Sequence, residues 1–174
     1  MNTFDSFEEK YFTYWLEEAR QMELIDSWER WDQEKHIEMF PPNEEYKMRK
    51  ASYTPDFKVV FNKKAEGLLY NLPKKSKGYF FYVNDDLECI IDVKGAYKSS
   101  KHISSITFPL VQKIIFHTQG IYIQKVIPLG VGNLFDKTWT PSKYLLTDKT
   151  NQIRKIKQNK VQTLKQFINA HTGL

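Results

Sequence analysis

The sequence has very little cysteine: Cys89 is alone among 174 residues, beside four histidines. One cysteine excludes a disulfide framework within the chain, and with scattered histidines it cannot build a zinc set. No run approaches the roughly 18 apolar residues of a membrane span. The acidic start, MNTFDSFEEK, also lacks the apolar region of a signal peptide. We therefore expect a cytoplasmic protein without a membrane partner.

Apolar and aromatic residues are plentiful by contrast. They make up 41% and 15% of the chain, a composition typical of a globular protein rather than a disordered one. The length suits one domain with its own core and is short for two. We predict a single domain over residues 1–174, with its core at about 5–130 and a basic C-terminal extension at 131–174.

Charge is divided unevenly along the chain. Residues 1–93 hold 19 acidic and 13 basic residues, a net charge of −6, whereas residues 94–174 hold 2 acidic and 13 basic residues, a net charge of +11. Such a basic half builds a positive potential that attracts polyanions, so nucleic acid is the partner it favours. A solvated lysine-rich surface is the alternative interpretation.

Hydrophobic spacing predicts an α/β fold with a mixed central sheet flanked by helices. Helical periodicity covers residues 4–25, and the segment 27–40 loses that period and could supply a short strand. Strand-like runs follow at 57–61, 67–72, 78–83 and 87–93, separated by turn-forming residues.

The second half of the sequence predicts two helices around one strand. Residues 108–120 favour a helix with Pro109 in its first turn, and residues 121–130 favour a buried strand. The tail predicts a basic amphipathic helix at about 151–170. The residues expected on its inner face are Ile153, Ile156, Val161, Leu164, Phe167 and Ile168.

Two short stretches place charged residues where a core strand would be expected. In SYTPDF, Pro55 restricts its neighbour and holds Asp56 stiffly at the start of a strand. In IIDVKG, strand alternation puts Asp92 and Lys94 on one face and Val93 on the other. If the two strands are neighbours, both carboxylates converge into an oxygen-rich site suited to Mg²⁺ or Mn²⁺, with the lysine alongside. A structural Asp–Lys pair plus a capping aspartate is the alternative.

These stretches, YTPDF and IIDVKG, resemble the signature of the PD-(D/E)xK nuclease superfamily. Within it, they are similar to phage-type junction-resolving endonucleases of the endonuclease I type and to transposon-end endonucleases. The resemblance implies a restriction-endonuclease-like core in which Asp56 and Asp92 bind Mg²⁺, with Mn²⁺ able to substitute, and Lys94 assists phosphodiester hydrolysis. It also implies a helix glutamate, for which the Ser-x-x-Glu spacing favours Glu9 and leaves Glu8 as the alternative. The long interval between the two stretches predicts an inserted hairpin at about 62–82.

The leading hypothesis is a metal-dependent endodeoxyribonuclease, encoded by a phage or mobile element and acting on DNA that includes branched or Holliday-junction substrates. We also expect the protein to form a homodimer under this hypothesis, because two active sites can cut two DNA strands. The candidate DNA-contacting residues are Lys98, Lys101, Lys113, Arg154, Lys155 and Lys157, although the tail that carries the last three could pack against a second subunit instead. The alternatives are a catalytically silent nuclease-fold protein that binds DNA or serves in assembly, and a single-strand or RNA nuclease.

Overall fold

A four-stranded mixed sheet forms the centre of the fold in a computed structural model of the chain. The structure describes residues 4–96, 103–146, 152–156, 158 and 160–172. The sheet comprises β1 (Ile25–Arg30), β4 (Phe57–Phe61), β5 (Glu88–Val93) and β6 (Ile123–Val126), in the order β1-β4-β5-β6. The first three strands are antiparallel and β6 is parallel to β5. The predicted α/β class with a mixed central sheet is therefore confirmed.

Helix α1 (Phe7–Gln21) covers one face of the sheet and supplies much of the core. It begins at the N-cap Ser6, whose hydroxyl accepts a hydrogen bond from the Glu9 amide. Its buried Phe12 packs edge-on against Phe57 of β4 at a ring distance of 5.4 Å. The predicted helix was longer at both ends, because Leu24 and Ile25 are buried by the turn and strand that follow rather than by the helix.

Helix α2 (Ile103–Gln119) lies on the opposite face, next to a two-stranded ribbon of β2 (Ile37–Phe40) and β3 (Ala51–Tyr53). Phe108 and Ile115 of this helix form a second, smaller core with Ile37 and Ile123. The helix begins before the predicted position, so Pro109 lies inside it rather than in its first turn. The ribbon was not predicted as a paired unit, since only one short strand was expected between residues 27 and 40.

The segment between β4 and β5 departs from the sequence prediction. It contains a short 3-10 helix (Lys63–Ala65) and irregular backbone, and it forms neither the predicted strands at 67–72 and 78–83 nor the predicted hairpin at 62–82. Three of its apolar residues are nevertheless buried: Leu69, Tyr70 and Phe81 are at most 1% exposed. They pack as irregular chain over the sheet, for example Phe81 against Phe61 at a ring distance of 5.0 Å.

The tail also differs from its prediction. Two four-residue helices, α3 (Leu134–Lys137) and α4 (Ser142–Leu145), precede α5 (Leu164–Thr172), so the predicted helix at 151–170 is confirmed only in its last third. Ile153 and Val161 are exposed instead of inward, whereas Leu164 and Phe167 are buried as predicted. The tail is joined to the main core, since Trp139 is completely buried and stacks on Trp15 of α1 at a ring distance of 4.4 Å.

No helix within the described ranges of the chain is both long and apolar enough to cross a bilayer.

Candidate active site

The two aspartates singled out by the sequence meet at one end of the central sheet. β4 and β5 are antiparallel neighbours with Phe57 opposite Ile91, so Asp56 continues the ladder opposite Asp92. The Asp56 amide donates to the Ile91 carbonyl at 3.0 Å, and its carboxylate accepts the Val93 amide at 2.6 Å. The predicted neighbourhood of the two strands is therefore present, and it brings both acids to the same edge.

Lys94 lies on the same side as Asp92, as strand alternation predicts. Its Nζ is 2.7 Å from Asp92 Oδ2, and the Asp92 side chain is only 2% exposed whereas that of Lys94 is 26% exposed. This oxygen accepts no hydrogen bond of ordinary geometry from the described residues, so the ion pair is its main compensation. Burying a carboxylate in this way is costly unless a cation neutralises it.

Asp56 has the most perturbed carboxyl group of the site. Burial, and next the negative charge of Asp92, raise the pKa of Asp56 from its ordinary 3.8 to about 7. The charge of Glu9 raises this pKa further, while the Val93 amide and the Lys94 ammonium lower it. The site thus holds more negative charge than its own cations neutralise, an arrangement that clusters at functional positions.

Tyr53, at the end of β3, orients Asp92 from the opposite side. Its hydroxyl donates to Asp92 Oδ1 at 2.7 Å, which leaves Oδ2 facing Lys94. Burial, followed by the charge of Asp92, raises the pKa of Tyr53 above its ordinary range, so the phenol stays protonated and remains a donor. The ribbon therefore has a definite role, since it carries the residue that fixes the Asp92 side chain.

Helix α1 carries both candidate helix acids, Glu9 and Glu8, and the structure places them in different surroundings. Glu9 is 5% exposed, its carboxylate accepts the Ser6 hydroxyl at 2.9 Å, and it pairs with Arg30 of β1 at 3.1 Å. Glu8 is half-buried and lies near Tyr144. Burial is the main cause that raises the pKa of Tyr144, and the charge of Glu8 adds a small contribution. Of the two alternatives that the sequence left open, Glu9 is the one whose charge raises the pKa of Asp56; its place in the active site stays a prediction.

No protein-family model, curated protein or solved structure matches this chain.

The donor set of the site suits a hard divalent cation at Asp56 and Asp92. Asp92 Oδ2 is buried without a hydrogen bond, and both acids present carboxylate oxygens, the ligands that Mg²⁺ and Mn²⁺ prefer. Within the described ranges, no three His, Cys, Asp or Glu side chains are grouped as a complete metal site. Part of the reason is that the carboxylate oxygens of Glu9, the expected third ligand, already contact Ser6 and Arg30. A site with Glu9 as third ligand stays a prediction.

The candidate DNA-contacting residues are spread over several surfaces. Lys98, Lys101 and Lys157 lie outside the described residues. Lys113 is exposed on α2, and Lys155 is exposed in the tail. Arg154 is half-buried, with its Nε donating to the Tyr144 carbonyl at 2.8 Å and its guanidinium 5.3 Å from the Tyr11 ring centre. Those contacts give Arg154 a packing role, whatever further role it has toward DNA.

Sequence reasoning missed Tyr53 and Arg30 as parts of the site. Tyr53 was visible in the YTPDF stretch, but its partner is 39 residues away. Arg30 lies in the segment 27–40, for which only a short strand was predicted, and its partner Glu9 is 21 residues away. Only the pairing of β1 with β4, which carries Arg30 opposite Phe57, shows that this cation lies beside the acids.

Proposed function

We propose that this protein is a metal-dependent nuclease that hydrolyses DNA phosphodiester bonds. The observation that carries the proposal is the meeting of Asp56 and Asp92 on neighbouring strands with Lys94 2.7 Å from Asp92. The mixed sheet between two helices agrees with the restriction-endonuclease-like core that the resemblance to PD-(D/E)xK nucleases implies.

The roles of the side chains follow from their positions. Asp56 and Asp92 would hold Mg²⁺ or Mn²⁺, which when bound supplies an activated water and neutralises charge on the phosphate. Tyr53 holds Asp92 in place through its 2.7 Å hydrogen bond. Lys94, less buried than Asp92, presents an ammonium that can orient the attacking water or stabilise negative charge on the phosphoryl oxygens.

The basic second half of the sequence supports a polyanionic substrate. Residues 94–174 carry a net charge of +11, and Lys94 itself begins this half. Branched or Holliday-junction DNA, a phage or mobile-element origin, a homodimer and a location in the bacterial cytoplasm belong to the same proposal.

A catalytically silent nuclease-fold protein that binds DNA is the second candidate. One observation favours it: Glu9, the expected third acid, is paired with Arg30 at 3.1 Å rather than directed to the strand acids alone. In that case the Arg30 guanidinium, rather than a metal ion, would neutralise the Glu9 carboxylate. A nuclease-like fold by itself does not establish nuclease activity.

Cleavage assays on a panel of DNA structures separate the two candidates. Linear, nicked, flapped and four-way substrates are incubated with the protein in Mg²⁺, in Mn²⁺ and in EDTA. The nuclease proposal expects strand cuts on at least one substrate with either metal and none in EDTA. Binding without cleavage under all conditions would support the silent alternative, and cleavage that persists in EDTA would contradict the metal requirement.

A further inference from the structure

A cleft of about 430 Å³ lies beside the candidate active site, at the outer edge of β6. Its walls come from the segment 77–82, the first half of α2 and β6. Its volume falls in the range of small-ligand pockets, roughly 300–1,000 Å³. The walls combine aromatic rings, among them Tyr82, Phe108 and Tyr122, with three lysines, Lys77, Lys125 and Lys137.

The cleft adjoins the strand acids through a short series of contacts. Lys125 is the register partner of Asp92 in the parallel pairing of β5 with β6, so both side chains lie on the same face. The Lys125 ammonium is 5.9 Å from the centre of the Phe108 ring, and that ring is 6.4 Å from the ring of Tyr53. Tyr53 in turn donates to Asp92. The wall of the cleft at Lys125 and Phe108 is therefore linked to Asp92 through Tyr53.

The aromatic rings of the cleft include exposed ones. Tyr82 is 57% exposed and Tyr122 is 38% exposed, although both are large aromatic residues. Their rings meet edge-to-face at 5.1 Å, and Tyr82 meets Phe80 in the same way at 4.6 Å. These contacts hold the rings in place, and Tyr82 nevertheless stays more than half exposed. Fixed, exposed aromatic faces are the platforms on which unpaired bases stack.

Charge also favours a nucleotide in this cleft. Three lysines line it, and its described lining residues include no aspartate or glutamate. The larger cleft along α1, about 660 Å³, has two glutamates, Glu17 and Glu18, balanced by two lysines, Lys10 and Lys143, and so lacks the positive excess of the first cleft. Lysine ammonium groups are effective partners for backbone phosphates, while aromatic faces accept any base.

We propose that this cleft binds an unpaired nucleotide of the DNA strand, stacked on Tyr82 and Tyr122, next to the phosphate held at Asp56 and Asp92. The inference rests on the proposed nuclease function, because it assigns the preferred substrate: DNA with an unpaired nucleotide near the cut. Among branched DNA substrates, the inference therefore favours those that expose an unpaired base at the branch, such as a bulge or a flap.

The test compares two duplexes of one sequence, one fully paired and one with 2-aminopurine in a single-nucleotide bulge. Binding is measured in EDTA by anisotropy, so that no cleavage is needed, and stacking is read from 2-aminopurine fluorescence. The wild-type protein is expected to bind the bulged duplex more tightly and to quench its fluorescence. Tyr82→Ala should weaken binding of the bulged duplex by about 5- to 150-fold, the range typical of one base–aromatic stack, with little change for the paired duplex.

Two matched variants make the test specific. Tyr82→Phe keeps the ring and should retain both the affinity and the quenching. Tyr46→Ala removes a tyrosine that is 68% exposed in the loop between β2 and β3, outside the cleft, and should leave both unchanged. Equal binding and equal quenching by wild type and Tyr82→Ala would overturn the proposal. So would displacement of the bulged duplex by free dAMP at a similar concentration, because the occupant would then be a free mononucleotide.

Cleavage of the same duplexes in Mg²⁺ separates this inference from the proposed function. If the duplexes are cut, but wild type and Tyr82→Ala show the same preference between bulged and paired DNA, the cleft assignment is overturned and the nuclease proposal stands. A Tyr82-dependent preference for the bulge, without cutting of any substrate, would support the cleft assignment and contradict the nuclease proposal.

Discussion

Replacing Asp56 by asparagine should stabilise the metal-free protein at pH 8. Burial and the neighbouring Asp92 charge raise the pKa of Asp56 from 3.8 to about 7. Its folded form therefore binds a proton more tightly than the unfolded chain does. Stability in EDTA should fall as the pH rises from about 4 to about 7 and then level off, because above pH 7 the folded protein has to hold Asp56 ionised.

The size of the effect follows from this shift. At 1.36 kcal/mol for each pH unit, holding Asp56 ionised opposes folding by about 4 kcal/mol, which sets an upper limit. Asparagine keeps an oxygen that can accept the Val93 amide, but its own amide group also needs a partner in a partly buried position. We expect a gain of about 1–3 kcal/mol, which corresponds to an increase in Tm of roughly 2–12 °C for a chain of this length.

Thermal unfolding measured from pH 4 to pH 9 in EDTA checks this prediction. The Asp56→Asn protein should lack the fall in stability between about pH 4 and pH 7, whereas Asp85→Asn, an exposed aspartate in the loop before β5, should follow the wild type. Added Mg²⁺ should raise the Tm of the wild type more than that of Asp56→Asn, since a ligand that binds only the folded state stabilises it. A variant less stable than wild type at pH 8, or a difference that is the same at pH 4 and pH 8, would refute the reasoning.

Three further predictions concern catalysis and DNA binding. Asp92→Asn should abolish cleavage because a metal ligand is lost, and in EDTA it should bind DNA as tightly as wild type or tighter because a charge that repels phosphate is lost. Cutting at the wild-type rate would show that the active site is assigned wrongly. Lys94→Met, which keeps the stem and removes the charge, should lower the single-turnover cleavage rate by about 10²–10³-fold, and unchanged turnover would exclude the role given to this ammonium. In DNA-binding titrations at 50–200 mM salt, Lys155→Ala should reduce the slope of log affinity against log salt by about one unit if Lys155 contacts a phosphate. Arg154→Ala should chiefly lower the Tm, because the Arg154 guanidinium packs on Tyr144. A DNA affinity that does not change with salt would contradict the nucleic-acid proposal.

The central strands could be predicted because their sequence pattern and their burial agree. Phe57, Val59 and Phe61 alternate with partly exposed residues, and all three are buried as the alternation requires. The same reasoning failed for residues 67–72 and 78–83. There, Leu69 and Phe81 are as buried as any strand residue, but they pack as irregular chain. Hydrophobicity predicts burial, and a short apolar run does not distinguish a strand from a loop that covers a sheet.

The acids of the site could be predicted because they lie in short, unusual stretches, and their partners could not. Asp92 and Lys94 are two residues apart, so strand geometry alone places them on one face. Tyr53 and Arg30 reach the site only through the ribbon and through β1, each paired across long separations in the sequence. The prediction for the tail was wrong at Ile153. Helical spacing from residue 151 onward predicted that this residue is buried, but it is 80% exposed, and helix α5 begins at Leu164.

The balance of charges at the site bears on the choice between nuclease and silent scaffold. Asp56 lies within the electrostatic influence of two other carboxylates, Asp92 and Glu9, and each of those two is paired with a cation. Arg30 is paired with Glu9 and Lys94 is paired with Asp92, so Asp56 has the Val93 amide as its closest compensation, and it is the acid whose pKa rises to about 7. A scaffold that only binds DNA gains nothing from a buried carboxylate of this kind, since the carboxylate both destabilises the fold and repels phosphate. A bound divalent cation would supply the missing positive charge and remove both penalties at once, and for that reason the arrangement favours the metal-dependent enzyme.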